Sequence, residues 1–96
     1  MTELEIRDQC RYLADLLVKK NHDYGDSADN PPILLPGLSS DSAILVRMSD
    51  KIERIRYLLD SKETPEVNES LEDTIRDLAG YCILWLVKNG QKMRKD

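Results

Sequence analysis

Carboxylates recur at helical spacing in the last third of the chain. In the stretch ESLEDTIRDLAGYCILW, Glu69, Asp73 and Asp77 follow one another every four residues, with Glu72 beside them. On a helix that spacing stacks them along one stripe. Unpaired like charges so placed cost roughly 0.2–0.5 kcal/mol each, so a neutralising partner is expected. Upstream, Asp50 and Glu53 stand three residues apart on a second helical pattern. Should the two faces meet, four or more carboxylates converge, a hard-oxygen donor set of the kind Mg²⁺ takes, with water and substrate phosphate filling its shell. The expected metal ligands are therefore Asp50, Glu53, Glu69, Glu72, Asp73 and Asp77. Arg47, Lys51, Arg54 and Arg76 offer the same acids a different partner, a structural ion-pair network.

A second group of reactive types lies at Lys20-Asn21-His22-Asp23-Tyr24-Gly25-Asp26-Ser27. It combines a cation, the only histidine, an aromatic ring and two carboxylates, with a glycine that permits an unusual turn. Tyr24 can stack on a base, and Lys20 can face a phosphate. Lys20, His22, Asp23 and Tyr24, joined by Lys51 and Arg54 from the next helical segment, form the expected substrate-binding set. The plainer alternative is a turn built by Asp23, Gly25 and Asp26 and anchored by Tyr24. Zinc-ligand spacing, a Ser/His/Asp arrangement and the phosphate-cradling GxxxxGK[ST] pattern are all missing from the sequence.

These groups need scaffolding, and the apolar periodicity supplies it. Thr2 followed by Glu5 reads as a capping box, and Ile6, Cys10, Leu13 and Leu17 form a buried stripe that Leu16 widens. This predicts a first helix over about 2–20. Residues 21–39 lose the period and hold three of the four prolines, so they read as a long loop. Loops beyond about 12–15 residues are usually functional or disordered. Because this one carries Ile33, Leu34, Leu35 and Leu38, an ordered flap is expected. A second helix over 40–60 follows, capped by Ser39, Ser40 or Asp41, with Ile44, Met48, Ile52, Ile55 and Leu59 as its stripe. A short polar connection with Pro65 leads to a third helix over 69–89, capped by Asn68 and stopped by Lys88 and Gly90. Helices joined so briefly pack antiparallel. Leu71, Ile75, Leu78 and Cys82 are then expected to be buried against Ile44, Met48, Ile52 and Ile55.

The totals agree with an all-α fold of three main helices in one domain over residues 1–96, ending in a frayed basic tail from about residue 90. With 33% charged and 41% hydrophobic residues the chain is of globular type. A net charge of −4 opposes non-specific nucleic-acid binding. No apolar run approaches the ~20 residues of a membrane span. The segment MTELEIRDQC has neither the basic start nor the apolar centre of a signal peptide, so a cytoplasmic location is expected. Cys10 and Cys82 fall in apolar helical patterns and read as reduced core thiols. Leu16, Leu45, Leu84 and Leu86 exceed what three helices can cover, which predicts a homo-oligomer, most simply a two-fold dimer.

Three pieces together resemble a known family. They are K-x-x-D-Y-G-D-S at Lys20 to Ser27, R-M-S-D-K-I-E-R-I at Arg47 to Ile55, and E-S-L-E-D-T-I-R-D-L-A-G-Y at Glu69 to Tyr81. In order and spacing they are similar to the nucleotide modification associated domain 1 family of small phage and bacterial proteins. More distantly, acidic pairs on antiparallel helices look like the MazG-type all-α nucleoside triphosphate pyrophosphohydrolases. Those carry E-x-x-E and then E-x-x-D, where this chain has Asp50-x-x-Glu53 and then Glu69-x-x-Glu72 or Asp73-x-x-x-Asp77. The resemblance implies a phage-type protein of nucleotide metabolism that binds a nucleotide or deoxynucleotide, with Mg²⁺-dependent phosphoanhydride hydrolysis as the activity it would support. The rival expectation is a non-catalytic helical interaction module whose charges form ion pairs.

Overall fold

The computed structural model describes residues 1–23, 27–60 and 70–90. Three helices carry the fold, α1 (Glu3–Asp23), α2 (Ser40–Asp60) and α3 (Leu71–Asn89), with one 3₁₀ turn at Ser27–Asp29. No strand occurs among the described residues, so the chain is all-α as expected.

Each helix start has a local cause. The capping box of α1 forms as the sequence predicts: the Thr2 N–H donates to Glu5 Oε1 at 2.8 Å, and the Glu5 N–H donates to Thr2 Oγ1 at 3.1 Å. Of the three candidates at α2, Ser39 serves as the cap, its Oγ accepting the Ser42 N–H at 3.1 Å. Helix α3 begins two residues later than expected, because Ser70 takes the N-cap and accepts the Asp73 N–H at 3.0 Å. Asn68 and Glu69 lie outside the described residues, as do the 61–69 connection and the tail beyond Gly90. The stop at Gly90 is as predicted, with its N–H donating to Leu86 O at 2.8 Å. Helix α1 runs to Asp23, past the predicted end near Asn21, since no glycine or proline follows Lys20 until Gly25.

Helices α2 and α3 lie along one another as an antiparallel pair. Ile44 is 3% exposed and alone among the described apolar side chains in being fully buried. Thr74 of α3 is also buried, with Oγ1 donating to Ser70 O at 3.0 Å, which satisfies its hydroxyl. The expected core is narrower than the stripes suggest. Met48, Ile55, Leu71, Leu78 and Cys82 are half-buried. Ile52 is 55% and Ile75 50% exposed, so these two do not enter the α2–α3 contact. A helix packed on one neighbour buries only a narrow seam, and both residues sit past its edge. Ile6 and Cys10 are exposed too, because α1 meets α3 only through its second half.

That meeting is made at a glycine. A Cβ on Gly80 would lie 3.0 Å from Leu17 Cδ2 and 4.0 Å from Leu13 Cδ1, so the bare backbone is what admits α1. Nearby, the Arg76 guanidinium lies 4.9 Å from the Tyr12 ring centroid. The flap is held by turns: the Leu35 N–H donates to Pro32 O at 3.1 Å and the Leu38 N–H to Leu35 O at 2.9 Å. Lys88 of α3 tethers its start, 3.4 Å from Asp29 and 3.8 Å from Asp41 of α2. Ile33 is nonetheless 94% exposed. Among the described residues, no helix is long and apolar enough to cross a membrane.

Candidate functional site

Because α1 crosses α3 at Gly80 and the flap returns over both, a cavity of ≈ 740 Å³ opens between the three helices. Its walls are Leu13, Leu16 and Leu17 of α1, Ile44 of α2, and Tyr81 and Leu84 of α3. The flap contributes Pro31 to Leu35. The size falls within the range of small-molecule pockets, and the balance of apolar walls with few polar groups is also theirs.

The polar groups include Asn21, Ser27, Asn30 and Ser40 beside three cations. Lys20, Arg47 and Arg76 line the cavity, with Asp77 as the only carboxylate lining it among the described residues. Asp77 is 29% exposed and shared by two lysines: Lys51 Nζ lies 3.2 Å from Oδ2, and Lys20 Nζ lies 3.7 Å from Oδ1. Arg76 is drawn towards its own helix, 3.8 Å from Glu72 and 3.9 Å from Asp73. Arg47 is exposed and has no ion-pair or hydrogen-bond partner among the described residues. In a chain of net charge −4, three cations thus line this cavity with Asp77 among them.

The expected site residues divide accordingly. Lys20 and Asp77 reach the cavity, and Lys51 touches it through Asp77. His22 and Asp23 stand in solvent at the end of α1, 3.8 Å from each other. Tyr24 and Glu69 lie outside the described residues. Arg54 is half-buried on α2, 5.6 Å from the Tyr57 ring centroid, and does not line the cavity. Asp50 is exposed on α2. Glu53 lies about half a turn round α2 from Ile44, at roughly 100° per residue, and pairs with Arg56 at 3.9 Å. Glu72 and Asp73 flank Arg76 instead of facing Asp50 or Glu53.

The described acids therefore do not make a common donor set in this chain alone. No group of three or more His, Cys, Asp or Glu side chains that could hold a metal ion occurs among the described residues. Of the cross-helix ion pairs that the sequence offers as the alternative, Lys51 on Asp77 forms, and Lys20 of α1, which is not among them, joins it.

Reading the sequence for paired acids treats Arg47 and Arg76 only as their partners, and it passes over the apolar walls. One signal was available. Gly80 interrupts a strong helical pattern, and a glycine inside a helix often marks a close approach.

No curated protein matches the chain, and no solved structure does. A family model does match, over residues 20–88, from the cavity's Lys20 to the Lys88 that tethers the flap. The match takes in all of α2 and nearly all of α3, and the chain accordingly belongs to the nucleotide modification associated domain 1 family.

Proposed function

We propose that the protein binds a nucleotide or deoxynucleotide in the cavity between α1, the flap, α2 and α3. The observation that carries this reading is the clustering of Lys20, Arg47 and Arg76 around an apolar cavity in an acidic chain. Phosphate oxygens would take the place of the missing partner of Arg47, and Arg is suited to them by its planar fork of donors. Base and sugar would lie against the leucines and Tyr81, where apolar and aromatic area is available. The family's association with nucleotide modification supports the same ligand class.

In this reading binding comes before catalysis. The described carboxylates do not converge, so magnesium is proposed as the ion a nucleotide brings on its phosphates, and no hydrolytic step is derived from it. A second reading, a non-catalytic helical interaction module, draws support from the ion pairs at Asp77. A panel of ribo- and deoxynucleotides, each titrated calorimetrically with and without Mg²⁺, separates the two. Saturable binding of one nucleotide class supports the cavity; no heat from any member at millimolar concentration favours the module.

A further inference from the structure

Asp77 has two partners of unequal hold. Lys51 Nζ stands 3.2 Å from Oδ2, with its side chain 23% exposed, and it is not among the residues that line the cavity. Lys20 Nζ stands off at 3.7 Å from Oδ1, is 46% exposed and does line the cavity. Attraction between opposite charges strengthens with proximity and with distance from water, so Lys51 is the tighter of the two. The lysine that faces the cavity is the looser one.

That difference matters once an anion enters. A phosphate in the cavity attracts Lys20, whose flexible stem and three rotatable donors let it turn from one acid to another. With Lys20 as its sole partner, Asp77 would then be left as a half-buried carboxylate without a cation, which is costly. It would also repel the phosphate beside it. Lys51 removes both costs, because it stays on Oδ2 and keeps the carboxylate neutralised. Arg76 is poorly placed to do the same. It is drawn to Glu72 at 3.8 Å and Asp73 at 3.9 Å, and as the neighbour of Asp77 on one helix it points roughly 100° away.

We infer that Lys51 is a positioning residue for the phosphate subsite: it holds Asp77 neutral so that Lys20 can leave that acid for the phosphate of a bound nucleotide. The inference rests on the nucleotide reading of the cavity and adds to it the separate parts of the two lysines. Lys20 touches the ligand; Lys51 acts only through Asp77. The sequence counts Lys51 among the substrate-binding residues, and its place behind Asp77 gives it this other part.

Calorimetric titration of the full chain with ribo- and deoxynucleoside mono- and triphosphates, with and without Mg²⁺, takes as probe whichever the parent binds tightest. Lys51→Met keeps the stem and removes the charge, and it should weaken that binding about tenfold, a moderate coupling for residues in one ion-pair network. Lys51→Arg keeps the charge and should bind as the parent does. In an Asp77→Asn background nothing holds Lys20 back, so there Lys51→Met should change affinity by less than about twofold. Lys20→Met should weaken binding in both backgrounds. If Asp77→Asn loses its helical circular dichroism, lysine side-chain NMR of the parent decides: the nucleotide should move the Lys20 signal and leave that of Lys51 in place. Equal losses from Lys51→Met in the two backgrounds, or a Lys51 signal that moves with that of Lys20, would put Lys51 on the ligand itself. No loss in either background would make it a bridge of the fold alone. Each of these overturns the inference while the nucleotide reading stands; a parent that binds no member of the panel at millimolar concentration overturns both.

Discussion

Lys51 Nζ stands 3.2 Å from Asp77 Oδ2, and Lys20 Nζ approaches the other oxygen of that carboxylate at 3.7 Å. One acid on α3 thereby ties down a cation from each of the other two helices. With Asp77 29% exposed, the group lies between the surface pair, worth little, and the buried pair, whose breaking is costly. Asp77→Asn keeps the shape and strands both lysines, so it should destabilise by about 1–3 kcal/mol in urea unfolding. Asp73→Asn faces only Arg76, at 3.9 Å and in solvent, and should cost less than ~1 kcal/mol. An Asp77→Asn protein as stable as its parent would mean that the pairs with Lys20 and Lys51 add nothing to the fold.

The helices were legible because each carried a period and a cap close together in sequence: Thr2 with Glu5, Ser39 before Ile44, Gly90 after Lys88. Which part of a stripe is buried was not legible. Ile44 and Ile52 stand in the same heptad-like run, yet one is buried and the other half in solvent, because burial depends on where the neighbouring helix crosses. The same reason hid the site. Lys20 and Asp77 are 57 residues apart and meet only because Gly80 lets α1 lie on α3. Ile44→Ala should accordingly cost about 2–5 kcal/mol, as emptying a core position does. An effect of only a few tenths in urea unfolding would show that the core lies elsewhere.

Arg47 lines the cavity without a partner among the described residues, so it stabilises nothing that its loss would undo. Arg47→Ala should leave the unfolding midpoint within about 0.5 kcal/mol of the parent, as surface changes do. Nucleotide affinity should fall by about tenfold to a hundredfold, the worth of one charge-assisted contact. Calorimetry that finds equal affinity removes Arg47 from the phosphate site.

Glu5 is held below its ordinary value by the Thr2 hydroxyl and backbone N–H, both of which favour the carboxylate. For an acid whose folded value is depressed, the stabilisation is present above the ordinary value and lost as pH falls through the folded one. The first turn of α1 should therefore fray on acidification below about pH 4. Following the Glu5 side-chain resonance by NMR should give the low value, and Thr2→Ala should raise it. No difference between the two proteins would mean that the capping box is absent in solution.

Gly80 tests the cavity through its wall. Its missing Cβ leaves room for Leu17, whose Cδ2 would be 3.0 Å away, and α1 is otherwise held to α3 by Arg76 on Tyr12 and Lys20 on Asp77. Gly80→Ala asks only the flexible end of Leu17 to move and gains up to about 1 kcal/mol of helix propensity, so its net effect on stability should be small. Gly80→Leu adds a side chain that Leu17 and Leu13 cannot make way for, and α1 must lift. Helices α2 and α3 do not depend on that contact, so helical content should persist while amide exchange in α1 quickens. Nucleotide binding should then be lost along with the wall that Leu13, Leu16 and Leu17 supply. A Gly80→Leu protein with faster exchange in α1 and parental affinity would place the nucleotide somewhere other than this cavity.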